Sequence, residues 1–178
     1  EMLDDPTGET PIKIEERAHI SDANHADFYL AIHHNAAADI FNGGGVVVYH
    51  YPLDRNKAQA TELYNDVVSA NGLRGNRSNP IVATNDLYEV CAPQADSILL
   101  ENGFMNSYTD TPIIITEQFA INTAKGLCKF FVDYWNLEEK SSGSASDVLA
   151  EIESIRNNIK ALEIELDKKL EELRSLIS

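Results

Sequence analysis

Two short apolar runs, Phe28-Tyr29-Leu30-Ala31-Ile32 and Ser97-Ile98-Leu99-Leu100, each stop at residues that chemistry can use. The first ends in His33-His34-Asn35 and the second in Glu101-Asn102-Gly103-Phe104. Runs that are short and apolar at successive positions read as strands buried on both faces, the kind found in parallel sheets covered by helices. A third run, the β-branched Val46-Val47-Val48-Tyr49, follows Gly43-Gly44-Gly45, and Leu87 to Cys91 reads as a further short strand. Helical periodicity runs from Ile14 to Asn24, from Lys57 to Ala70, and from about Thr116 to Tyr134. Asn71-Gly72 supplies a stop for the second of these. In the third, Phe119, Ala120, Thr123, Leu127 and Phe131 share one face. Strands alternating with helices predict an α/β layered domain around a mainly parallel sheet.

A change of composition near residue 140 sets the domain organisation. Residues 1–140 hold every proline, every histidine and the single Trp135. Residues 141–146, Ser-Ser-Gly-Ser-Ala-Ser, form a linker, and 147–178 lack Pro, Gly and aromatic residues. In that last segment Val148, Ile152, Ile155, Ile159, Leu162, Leu166, Leu173 and Leu176 keep a heptad spacing, with Lys169 in one core slot. Ser146 or Asp147 serves as N-cap. Such a helix must bury its seam, either on its own globular domain or, as we expect, in a coiled-coil homo-oligomer.

Charge removes several functions. The 29 acidic residues outweigh the 14 basic ones, for a net −15, a poor surface for holding nucleic acid or an anionic membrane. No apolar run reaches the roughly 20 residues of a membrane span. Cys91 and Cys128 offer neither a disulfide framework nor a C-x-x-C metal knuckle. The start, Glu1-Met2-Leu3-Asp4-Asp5, has no signal-peptide pattern, and its lack of an initiator Met suits a processed or trimmed product.

In open α/β sheets, ligands bind at the carboxyl ends of the strands. His33 and Glu101 occupy two such ends, and parallel strands would bring them together across 68 residues of sequence. An imidazole suits zinc, and a nearby carboxylate can take a proton from an attacking water. By residue type alone, a strand-end His is more often satisfied by a backbone carbonyl and a strand-end Glu by a salt bridge.

The surrounding motifs are more specific. Arg17-Ala18 with Asp22-Ala23-Asn24, then Ala26-Asp27-Phe28-Tyr29-Leu30-Ala31-Ile32-His33-His34-Asn35-Ala36, resembles the zinc-dependent N-acetylmuramoyl-L-alanine amidases. Gly45 to Tyr49, Arg74-Gly75, Leu87-Tyr88-Glu89-Val90, and Pro93 through Ile98-Leu99-Leu100-Glu101-Asn102-Gly103-Phe104-Met105-Asn106 to Asp110 match later motifs in order. The resemblance covers about residues 15 to 135. It implies a zinc ligand at His33, a catalytic glutamate at Glu101 and a supporting, loop-orienting role for Asn35. His34 falls on a variable position, with its side chain turned the other way along the strand. Ala31 stands where the motif has serine.

The front of the family pattern, a strand with a G-H-G-G turn and a helix carrying a glutamate ligand, has no counterpart in this sequence. Roughly the first third of such a domain is therefore expected to lie elsewhere. Either a separate N-terminal segment completes the zinc site, which we favour, or this form has a site reduced to one ligand. Glu1 is too close to His33 in sequence to replace the missing glutamate, and His19, His25 and His50 read as solvated or core histidines. The resemblance implies zinc-dependent hydrolysis of the bond between N-acetylmuramic acid and L-alanine in bacterial peptidoglycan. The setting would be the cell wall or the extracellular space, for a phage lysin or a fragment of a secreted autolysin. The competing reading is a non-catalytic, oligomerising wall-binding or regulatory module; a peptide-cleaving zinc enzyme has no H-E-x-x-H to support it.

Overall fold

The computed structural model describes residues 11–138 and, of the C-terminal segment, residues 154–157, 159, 160, 162, 165, 166, 168, 169 and 173. The chain divides into two units, Glu1–Asn136 and Leu137–Ser178. In the first, helix α1 (Ile14–Ala23) leads into strand β1 (Phe28–Asn35), and a helix-free loop leads on to β2 (Val46–His50). Helix α2 (Asp54–Asn71) crosses to β3 (Ile81–Ala83). The one-turn helix α3 (Tyr88–Cys91), strand β4 (Asp96–Phe104), the short α4 (Thr111–Ile114) and the long α5 (Glu117–Tyr134) complete the order.

The four strands form one sheet in the order β1-β4-β2-β3. The β1–β4 and β2–β3 pairs are parallel, but β2 runs antiparallel to β4, so the sheet is mixed and not mainly parallel. The connections explain the correction. A parallel neighbour needs a crossover, usually a helix, and α2 supplies one between β2 and β3. Only a loop joins β1 to β2, and the chain turns back on itself there.

Side chains alternate across the sheet and divide the core in two. Phe28 and Leu30 of β1, Ile98 and Leu100 of β4, and Val46 and Val48 of β2 pack against Leu63, Val67, Phe119 and Phe130 of α2 and α5. Tyr29, Ala31 and Leu99 face the other way, onto Val90 of α3. Strand β2 is buried along nearly its whole length, as its unbroken Val-Val-Val requires. Helix α2 ends as its Asn-Gly predicts, with Gly72 in the left-handed region at φ 76° and its N–H on the Val68 carbonyl. Thr116 caps α5 by accepting from the Phe119 N–H.

Two local expectations change. Leu87 to Cys91 is not a strand: Tyr88–Cys91 forms a helical turn that turns Glu89 and Val90 inward and leaves Tyr88 and Cys91 outside. A run so short carries no period able to separate strand from helix. On α5, Phe119 and Thr123 of the expected face are buried and Leu127 and Phe131 pack against the core, while Ala120 is exposed and Gly126 and Phe130 join the buried side. Gly126 lets α2 come close: a Cβ there would sit 2.7 Å from the Val67 Cα.

Of the C-terminal unit, the linker at 141–146 and the N-cap at Ser146 or Asp147 lie outside the described residues. The described positions from 154 to 173 are helical, and Ile155, Ile159, Leu162, Leu166 and Leu173 are exposed. No coiled-coil pairing of that seam is present among the described residues. No helix among them is long and apolar enough to cross a membrane.

Candidate active site

Parallel pairing of β1 with β4 sets His33 directly beside Glu101 in the register. On the other flank, Val47 of β2 pairs with Glu101 and is fully buried. The carboxylate therefore stands between an imidazole and an apolar side chain, and its Oε2 is buried with no hydrogen-bond partner among the described residues. Burial first, and the nearby negative charge of Glu89 second, push the Glu101 carboxyl up to about 7. A carboxylate so poised exchanges protons near neutral pH, which suits a general base.

Glu89 is the residue that sequence reasoning passed over. It stands on α3, 4% exposed, with Tyr29 donating its O–H to Oε1 at 2.8 Å. Arg17 Nη1 lies 3.6 Å from the same oxygen, and His33 Nε2 lies 3.2 Å from Oε2. Burial and the bond to Glu89 hold the Tyr29 phenol well above its usual range. Tyr29, Ala31 and His33 point to one face of β1 by simple alternation, so the strand itself aligns phenol and imidazole on one carboxylate. A buried Glu in a tyrosine- and valine-flanked run was the available signal, but its burial could not be read from spacing.

The neighbouring candidates separate cleanly. His34 points to the other face and donates from Nδ1 to the Asn102 carbonyl at 2.9 Å. Asn35 lies at the strand's end, where its Oδ1 accepts from the Ala36 N–H and its carbonyl accepts from the Met105 N–H. It holds the β1 exit against the β4 exit. His50 is buried and donates to the Tyr51 carbonyl, while His19 and His25 are exposed, so these three stay away from the site.

Behind the site, Asp110 is 2% exposed and clamps two chain segments. Its Oδ2 accepts from the Gly45 N–H at 2.7 Å and from the Phe104 N–H at 3.0 Å. The backbone of the Gly43-Gly44-Gly45 loop lies so close that a Cβ on Gly44 would meet that oxygen at 2.3 Å. The clamp ties the entrance of β2 to the end of β4, three residues beyond Glu101.

β1 is an edge strand of the described sheet, and a cavity of about 570 Å³ runs along it. Arg17, Tyr29, His33, Glu89, Phe131 and Trp135 are among its lining residues. His33 is therefore reachable, with one third of its side chain exposed.

His33 offers a nitrogen donor of the type zinc accepts, with the Glu89 and Glu101 carboxylates beside it and an orphaned oxygen on Glu101. These three do not close into a tight cluster. The three-donor group whose atoms all lie within 4.8 Å, among the described residues, is Glu62, Asp66 and Asp133 on α2 and α5. Lys129 already pairs with two of these carboxylates, Asp66 and Asp133.

The sequence matches the family described as N-acetylmuramoyl-L-alanine amidase (Amidase_3) over residues 2–131. No curated protein matches the chain. Among solved structures, the N-acetylmuramoyl-L-alanine amidase of Clostridium difficile 630 is similar with a TM-score of 0.65 and 23% identity, over 77% of this chain and 70% of that one. The catalytic domain of the amidase CwlV from Bacillus (Paenibacillus) polymyxa var. colistinus gives 0.64 at 18% identity, over 73% and 69%. The amidase AmiC2 of Nostoc punctiforme gives 0.63 at 20%, over 71% and 68%. At these identities the structural likeness speaks to the fold.

Proposed function

The chain belongs to the N-acetylmuramoyl-L-alanine amidase family, and from that premise we propose that it hydrolyses the amide between N-acetylmuramic acid and L-alanine in bacterial peptidoglycan. The observation that carries the reading is the side-by-side placement of His33 and Glu101 on adjacent parallel strands. His33 is the metal ligand of this proposal, Glu101 the general base and Asn35 the residue that fixes the loop at the strand's end. A zinc ion held there would polarise the scissile carbonyl and lower the pKa of attacking water toward about 7. Glu101 accepts the proton from that water and returns it to the leaving amine of L-alanine, a two-way role that suits a carboxyl near pH 7. Action on the cell wall, outside the cytoplasm, follows from the substrate. Self-association through residues 147–178 belongs to the same proposal and rests on the exposed seam at Ile155, Ile159, Leu162, Leu166 and Leu173.

The test is end-group analysis of purified peptidoglycan after incubation with the 178-residue chain, with zinc content measured on the same sample. New L-alanine amino termini, without new reducing sugars, are expected. Release of sugar ends alone, or no release from a zinc-loaded protein, would overturn the reading.

A further inference from the structure

Glu89 lies in a segment where the family resemblance assigns no role, yet it is among the most buried charged side chains described. An ionised carboxylate taken out of water costs several kcal/mol unless its oxygens are met by donors. Here the two oxygens are met differently. Tyr29 and Arg17 both address Oε1, while Oε2 faces His33 Nε2. Arg17 is itself tethered, its Nε donating to the Ile12 carbonyl at 3.0 Å. One edge of the carboxylate is thus anchored and the other is presented to the imidazole. The approach to Glu89 at 3.2 Å is the one side-chain polar contact of the His33 ring among the described residues, and it engages Nε2 and leaves Nδ1 without one.

We propose that Glu89 positions His33, accepting from its Nε2–H and holding the neutral ring in the tautomer whose Nδ1 lone pair is free to bind a metal cation. Metal-ligating histidines depend on such a partner, because a carboxylate on one ring nitrogen fixes both the orientation and the basicity of the other. Glu89 is a positioning residue here and not a third ligand beside Glu101, since His33, Glu89 and Glu101 do not gather within 4.8 Å of one another. The arrangement also explains why α3 is a helical turn. An extended segment would alternate its side chains, whereas the turn sends adjacent Glu89 and Val90 inward together. Val90 fills the core under Leu99 and Tyr29, and Glu89 reaches the end of β1. The proposal rests on the reading of His33 as a metal ligand, but its first test does not need metal.

That test is long-range ¹H–¹⁵N NMR of the histidine rings in the full, metal-free chain, at a pH where imidazole is neutral. His33 is expected as the Nε2–H tautomer. Glu89→Ala should give a mixture of tautomers, and Glu89→Gln, which keeps an acceptor oxygen, should restore the Nε2–H form. Zinc competition against a chromogenic chelator should show affinity at least about tenfold weaker in Glu89→Ala. A residue with a merely structural role would lower the melting temperature and leave the tautomer alone. An Nδ1–H tautomer in the unsubstituted protein overturns the proposal, as does an unchanged tautomer in a folded Glu89→Ala variant. If the unsubstituted chain takes up no zinc while its tautomer responds to Glu89, the metal reading of His33 fails and the anchoring of the ring stands.

Discussion

His33 and Glu101 are register partners, with neighbouring backbone positions on parallel strands although 68 residues separate them in sequence. Their proximity is a property of the sheet and does not depend on loop conformation. Replacing Glu101 therefore changes chemistry without moving His33. Glu101→Gln is expected to lower turnover of peptidoglycan by about 10² to 10⁴, the usual worth of a general base. Bound zinc, measured by elemental analysis, should be unchanged. Retention of near-normal lysis would remove Glu101 from the mechanism.

The same carboxyl makes stability depend on pH. Its pKa rises from 4.5 to about 7 on folding, so between those values the folded chain holds a proton that the unfolded chain has released. Stability from this group is full below pH 4.5 and is lost as pH rises toward 7. Urea titrations of metal-free protein at pH 5 and pH 7.5 should show a smaller decline in Glu101→Gln than in the unsubstituted chain. An equal decline would mean that Glu101 ionises as freely folded as unfolded.

Asp110 has a different consequence. Asp110→Ala leaves the buried Gly45 and Phe104 N–H groups without an acceptor. A loss of about 2–6 kcal/mol is expected, since each of the two orphaned buried donors costs about 1–3 kcal/mol. Chemical denaturation would measure it. Activity should fall as well, because the clamp holds the end of the strand that carries Glu101.

Gly126→Ala tests the approach of α2 to α5. In an open helix this change stabilises by roughly 0.5–1 kcal/mol. Here the added Cβ would lie 2.7 Å from the Val67 Cα and 2.8 Å from the Asp66 carbonyl oxygen, both backbone atoms that cannot rotate away. Overpacking of about 1–3 kcal/mol should win and the melting temperature should fall. A rise would show that the helices part easily.

The C-terminal seam gives a prediction about assembly. Sedimentation should find the chain oligomeric, and Leu162→Glu with Leu166→Glu should render it monomeric. A monomeric unsubstituted chain would end the coiled-coil reading of residues 147–178.

Much of the fold was legible because apolar runs and stop signals report local structure directly. The strands carrying His33 and Glu101, the Gly72 cap and helix α5 all follow from pattern. Strand direction did not, since the polarity of β2 depends on what the loop at Gly43-Gly44-Gly45 does and not on any residue within the strand. Gly126 was not legible as part of the buried side of α5, because it counts as no hydrophobic residue, yet α2 packs closely against it there. Glu89 was invisible for a related reason. Its importance lies in three partners at positions 17, 29 and 33, none of which is at a helical or strand spacing from it.

The strand order also determines when during folding the site can exist. Helix α2 and its turn form from local contacts, but β1 meets β4 only by closing a loop of chain that holds β2, α2, β3 and α3. Contacts so distant in sequence close late and slowly. A nascent or misfolded chain therefore carries His33 and Glu101 apart, so chemistry that needs both waits for the sheet to close.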